Sequence, residues 1–409
     1  MDYLYNILSA FRHLFNTQSY ALFSAFILGI MFSNERKTVT GICKATDTKK
    51  YWSMIKFLSR SKWNSDALAI NLIKLMQSII KDWVYVYDET HAIKTGKSQF
   101  GLHFFPNHKY NLKNKNQSKY HWGHQFAALG LLSVSVSQTI LFPVWVKMLI
   151  PGDAMLNSLA VLTTISNISS GLVIFDRGFN NRKVFKILLD YRHHLLCRAK
   201  SNAVFYFPVE HEQQKQTKRG RPRKYGKRLD ISAMCFGQID FLGQIAEIAS
   251  AIVYSKMCPQ QVRLVVRRTF SKTNTYKYFM VYTTDLDLSV EKIIFYYRLR
   301  WEQETAFRDS KQSFGFDDYQ VKSETSINRF VQLSFVSMSI MQLFFNQSMS
   351  HNVDEVCQTL GIHWYKPSKL TRGLMQAYLR YLSFRELFSS LKVTLFDQTK
   401  IHKSLSKVA

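Results

Sequence analysis

The chain has 409 residues, 46% apolar and 14% aromatic, with 55 Lys and Arg against 28 Asp and Glu, a net charge of +27. So much apolar material excludes disorder as the general state and a histone-like tail as the class, and the surplus charge points to a polyanionic partner. Five cysteines without a C-x-x-C pair exclude a zinc ribbon and a disulfide framework, which favours a reducing cytoplasm.

The first residues, MDYLYNILSAFRHLF, carry neither the basic start nor the cleavage site of a signal peptide, so secretion is not expected. Residues 1–80 read as a helical DNA-binding domain. Tyr20 to Phe32 (YALFSAFILGIMF) is too short to cross a bilayer and predicts a buried helix. Lys37 to Trp63 has the pattern of a helix-turn-helix: one helix through Val39 to Ala45, a turn near Asp47, and a second helix from about Lys49. That arrangement offers Lys49, Lys50, Lys56 and Arg60 to phosphates. An ordinary bundle with a solvated basic face is the alternative.

Residues 81–207 read as the first part of an α/β catalytic core. KDWVYVYDET predicts a strand ending in Asp88, and LVIFDRGFNN, after a helix at about 153 to 168, predicts one ending in Asp176. Both acids would stand at the carboxyl ends of strands, where open α/β sheets meet substrates. Phe126 to Val146 is long and uncharged, but its SVSVSQ alternation predicts paired strands of a buried sheet, so no membrane partner is expected. Between Thr90 and Gly152 there is no acid, and Lys94 and Lys97 are candidate DNA contacts, weighed against plain solvation. His103, His108, His121 and His124 have no cysteine nearby, which favours sheet packing or phosphate contact over zinc.

A third strand is predicted over His194 to Phe207, followed by a β-rich insertion at 208–286. Its loop KQTKRGRPRKYGKR contains Arg219-Gly220-Arg221-Pro222, an AT-hook pattern whose flat backbone lets arginines enter a narrow minor groove. Lys218, Arg219, Arg221, Arg223 and Lys224 are therefore DNA-binding candidates, with a solvated loop as the alternative. Helix resumes near Ser289. Residues 287–346 form the second part of the core, with apolar Leu333 to Phe345 packed on the sheet, and 347–409 are basic and helical.

Glu291 to Gln320 contains no proline and its first glycine is Gly315, which predicts one helix of several turns. On it Tyr297, Arg300, Glu304, Phe307 and Lys311 fall within an arc of about 80°. Glu302 and Asp309 point elsewhere, and Trp301 is expected in the core. Asp88, Asp176 and Glu304 together can hold two divalent cations roughly 3.5 to 4 Å apart for phosphoryl transfer. Hard oxygen ligands suit Mg²⁺, with Mn²⁺ as a substitute. Tyr297, Arg300 and Lys311 would position backbone phosphates beside them.

These motifs resemble the DDE transposases of the insertion sequence 4 group. Tyr297-x2-Arg300-x3-Glu304-x6-Lys311 matches the Tyr-Arg-Glu-Lys signature, Asp88-Glu89-Thr90 looks like the first-aspartate motif, and Asp176-Arg177-Gly178-Phe179 looks like the second. The stretches RKTVTGICKA, FLSRSKW and KRGRPRK also look like family members. The resemblance implies an RNase H-like core, a mixed sheet with flanking helices, interrupted by a mostly β insertion that fits the 128 residues separating Asp176 from Glu304. It implies an enzyme that binds the inverted-repeat ends of its element, cleaves them with two metal ions, and joins the 3′-hydroxyls to target DNA. A homodimer in the synaptic complex and a place on the nucleoid follow from the same resemblance. Some members stack a flipped base on a Trp of the insertion, but no Trp lies between Arg177 and Arg300, which leaves the hairpin route open. A silent DNA-binding regulator, a domesticated descendant and an RNase H-like nuclease are the other readings.

Overall fold

The computed structural model describes residues 2–46, 50–107, 110, 118–134, 139–150, 159, 162–209, 223–241, 244–271, 274–348, 353–367 and 370–390. The chain opens with five helices: α1 (Asp2–Ser9), α2 (Thr17–Phe32), α3 (Val39–Ala45), α4 (Tyr51–Ser59) and α5 (Ser65–Ile79). Side-chain oxygens of Asn16, Thr38 and Asn64 accept from first-turn amides and so fix where α2, α3 and α5 begin. The boundaries of α3 and α4 are those expected of the helix-turn-helix pattern, although Asp47 and Lys49 lie outside the described residues. Met54, Phe57 and Leu58 turn inward from α4, while Lys50, Trp52, Lys56 and Arg60 face outward.

Eleven strands follow in one mixed sheet: β1 (Trp83–Ile93), β2 (His103–Pro106), β3 (Tyr120–Val134), β4 (Thr139–Leu149), β5 (Leu172–Phe175), β6 (His194–Arg198), β7 (Phe205–Tyr206), β8 (Gly237–Phe241), β9 (Gln244–Ser255), β10 (Gln261–Phe270) and β11 (Tyr276–Thr283). Their order is β2-β3-β1-β5-β6-β11-β10-β9-β7, with β4 beside β3 and β8 beside β9. Only β1, β5 and β6 run parallel to one another; the remaining pairings are antiparallel. This is the mixed sheet with flanking helices expected of an RNase H-like class. Phe126 to Val146 contributes to the β3–β4 hairpin, and no described helix is long and apolar enough to cross a membrane.

The remaining helices are α6 (Arg182–Asp190), α7 (Val290–Arg298), α8 (Trp301–Ser313), α9 (Glu324–Ser348), α10 (Val353–Thr359) and α11 (Arg372–Ser390), besides helical residues at 162–166. Helix α9 is the strut of the fold. Gln332 exchanges hydrogen bonds with the backbone of Val144 and Val146, Asn328 accepts from the Met148 amide, and Ser339 donates to the Pro143 carbonyl. These side chains occupy the free edge of β4, which would otherwise be an unpaired strand edge. On its other side Arg329 donates to the carbonyls of Phe57, Leu58, Ser61 and Trp63, clamping the end of α4 to the core.

Two elements differ from expectation. The single strand predicted over His194 to Phe207 is two, because β6 pairs with β5 and β11 whereas β7 crosses to β9. The β-rich segment expected between Asp176 and Glu304 is present as β8 to β11, and it extends the main sheet with β11 directly on β6. The helix predicted over 291–320 is broken at Leu299–Arg300, where the Arg300, Glu302 and Gln303 amides reach back three residues instead of four.

Candidate active site

Strands β1 and β5 place two acids side by side. Tyr85 pairs with Val173 and Val86 with Ile174 in parallel register, so two residues further on Asp88 stands level with Asp176, on strands about 4.8 Å apart. Asp176 follows the last residue of β5 and leads into a 3₁₀ turn at Arg177–Phe179. Asp88 does not end its strand as expected: β1 continues to Ile93 because β3 still pairs with it there. The acid lies where β1 loses its β5 neighbour and keeps its β3 neighbour.

Glu304 arrives from α8, and the break before that helix re-aims the arc without dispersing it. The Tyr297 hydroxyl donates to Asp176 Oδ1 at 3.2 Å. Arg300 Nη1 donates to Asp88 Oδ2 and Nη2 to Glu304 Oε1, both at 2.9 Å. One guanidinium thus bridges acids 216 residues apart in sequence, and its fork suits that task better than an ammonium. Phe307 is buried and Lys311 half-buried, its ammonium held below the ordinary value by burial, with Asp317 opposing.

Asp88 and Arg300 are largely shielded from solvent, whereas the Glu304 side chain stays 40% exposed. Burial pushes the Asp88 carboxyl up to about 6; Arg300 and the Glu89 amide pull it down, while Asp176 and Glu304 push it further up. The Tyr297 phenol is raised by burial and then by Asp176, so it remains a proton donor. Burial opposes the charge on Arg300, but Asp88, Tyr297 and Glu304 more than offset it. Asp88, Asp176 and Glu304 supply an all-oxygen donor set suited to a hard divalent cation. In the conformation described, Arg300 is the cation between Asp88 and Glu304, and no three His, Cys, Asp or Glu among the described residues are gathered to hold an ion.

Other candidates fall elsewhere. Lys94 points inward rather than to solvent or DNA: its ammonium donates to the Asp317 and Tyr319 carbonyls and stands 3.4 Å over the Tyr319 ring. Burial lowers its pKa to about 8. Lys97 and Arg223 are exposed, and Lys224 donates to the Pro259 carbonyl. Lys218, Arg219 and Arg221 lie outside the described residues. Trp301 is not core but 63% exposed, because it opens α8 on the outer side of the helix. His124 is buried between the Tyr319 hydroxyl and the Phe100 carbonyl, a packing role.

Two residues behind the site escaped sequence reasoning. Gln303 is fully buried against β3 with no hydrogen-bond partner for its amide among the described residues, and it sits over Gly130, where a β-carbon would stand 2.3 Å from its oxygen. A glycine inside an apolar strand was the available signal of such an approach.

Residues 91–340, more than half of the chain, match the family described as transposase DDE domain, and residues 10–154 match that described as DDE superfamily endonuclease. The first match begins just past Asp88, which the second contains. A comparison with curated proteins returns no match.

Proposed function

The chain belongs to the transposase DDE family, and on that footing we propose that it is a transposase of the insertion sequence 4 group, cutting DNA at the ends of its element and joining the freed 3′-hydroxyls to target DNA. The observation that supports this reading most is the Arg300 bridge between Asp88 and Glu304 beside the Tyr297–Asp176 contact. Four residues of the expected motif, with Asp176, converge from three separate segments on one spot. Helices α1 to α5 would serve as the DNA-binding region and residues beyond 347 as an accessory one, with two copies synapsing the two ends.

Asp88, Asp176 and Glu304 would hold the divalent ions, Mg²⁺ or Mn²⁺. Bound there, such ions activate the attacking oxygen and neutralise charge on the leaving one. The chain's own residues supply the positioning. Arg300 holds the two outer acids in fixed relation, and its remaining donors can meet a phosphate oxygen through charge-assisted hydrogen bonds. Tyr297, kept protonated, orients Asp176 and offers a hydroxyl beside the reacting phosphate. Lys311, on the inner side of α8, adds positive charge one turn beyond Phe307.

Incubating the protein with the DNA that flanks its gene and Mg²⁺ tests the reading: 3′-hydroxyl ends should be released and then joined to a second duplex. Asp88→Asn, Asp176→Asn and Glu304→Gln should each abolish cleavage and keep DNA binding; cleavage unchanged in all three would refute the assignment. Cutting without joining would instead favour the nuclease, and binding without cutting under any divalent metal the regulator.

A further inference from the structure

A second feature borders the same edge of the sheet. Beyond Asp176 the 3₁₀ turn leads through Asn180 into the amino end of α6, where the Asn181 side chain caps the Lys183 amide. Strand β6 lies parallel to β5, with Phe175 level with Cys197, so Lys200 emerges close beyond the same carboxyl edge. The turn between β9 and β10 brings Met257 to the same place. Together they line an open recess of about 840 Å³. Four of its residues are cationic, Arg182, Lys183, Lys186 and Lys200, and none is acidic. All four are exposed, and none makes an ion pair among the described residues.

Solvation alone does not account for this arrangement. Four like charges converging from two elements repel one another, and the positive end of the α6 dipole adds to them. The opening is wide and lacks an aromatic ring to hold a base, which suits a strand passing across rather than an enclosed small molecule.

We propose that this recess binds consecutive backbone phosphates of a DNA strand next to the reacting phosphate, on the Asp176 side of the centre. The inference rests on the transposase reading and deepens it, since it assigns part of the DNA path to residues outside the acidic motif. Phosphates of the element end and of target DNA share this chemistry, and the test separates them.

The triple variant Lys183→Ala/Lys186→Ala/Lys200→Ala is compared with Lys277→Ala/Lys292→Ala/Lys322→Ala, which removes the same charge from exposed positions elsewhere. Binding of the full chain is measured against salt concentration on two 40-base-pair duplexes, one from the DNA flanking the gene and one of arbitrary sequence. Every phosphate that a cation no longer neutralises lowers the slope of log affinity against log salt by about 0.9, so the recess variant should fall by roughly 2 to 3 in slope and the control by less than 1. A fall confined to the flanking duplex assigns the recess to the element end; a fall on both assigns it to any strand, target included. Equal falls in the two triples overturn the proposal and leave the transposase reading standing. A wild-type chain that binds neither duplex overturns both.

Discussion

Replacing Asp88 with Asn should make the protein more stable near neutral pH, and more so the higher the pH. The wild-type carboxyl moves from an ordinary 3.8 to about 6 on folding, chiefly because burial outweighs the attraction of Arg300. A raised acid favours folding while it is protonated. Its contribution is complete below about pH 3.8 and is lost as pH rises through about 6. At about 1.4 kcal/mol per tenfold change, that loss amounts to roughly 3 kcal/mol. Asparagine keeps the shape and can still accept from Arg300, but it has no charge to desolvate. Urea unfolding of both proteins at pH 4.5, 6 and 7.5 gives the stability difference at each pH. The difference should move in favour of the variant by roughly 2 to 3 kcal/mol across that range and level off above pH 7, while cleavage is lost. A pH-independent difference, or one moving in favour of the wild type, would refute the account of a site made costly by desolvation for the sake of its chemistry.

Two further substitutions probe the scaffold. Gly130→Ala puts a methyl group 2.3 Å from the Gln303 oxygen and 2.8 Å from Leu141; overpacking of this kind costs about 1 to 3 kcal/mol, and a shift of α8 by 1 Å lowers catalysis about 100-fold. End cleavage should fall at unchanged DNA affinity, and a wild-type rate would contradict it. Arg329→Met leaves the Leu58 and Trp63 carbonyls without their side-chain donor, while Phe57 and Ser61 still accept from Trp63, at a cost of about 1 to 3 kcal/mol. Thermal unfolding should begin earlier and the first proteolytic cuts should fall near residues 58–64; a stability within 1 kcal/mol of wild type would show that the clamp is dispensable.

The features legible in the sequence are those that rest on short-range rules. The α3 and α4 boundaries follow from Thr38 and the apolar spacing after it, the β3–β4 hairpin from alternation, and the grouping of Tyr297, Arg300 and Glu304 from helical repeat within eight residues. What was missed depends on neighbours distant in the chain. Lys94 is drawn inward by carbonyls at 317 and 319, and β1 outruns Asp88 because β3 extends alongside it. Trp301 is uncovered because α8 turns it away from the sheet. None of these partners is visible within a sequence window.

The contacts around the loop after α8 set an order of events during synthesis. Asp318 accepts from the Arg36 side chain and the Lys37 amide, and Arg380 donates to the carbonyls of Phe32 and Ser33 at the end of α2. The first acid is translated nearly 300 residues before Arg380. At about 5 to 20 residues per second, some 15 to 60 seconds pass between them. For that interval Asp88 has emerged but the frame that fixes Glu304 opposite it is incomplete. The amino-terminal helices share that frame, since Arg329 also holds the end of α4, so they and the acidic centre finish packing together and only after the chain has been made to about residue 380.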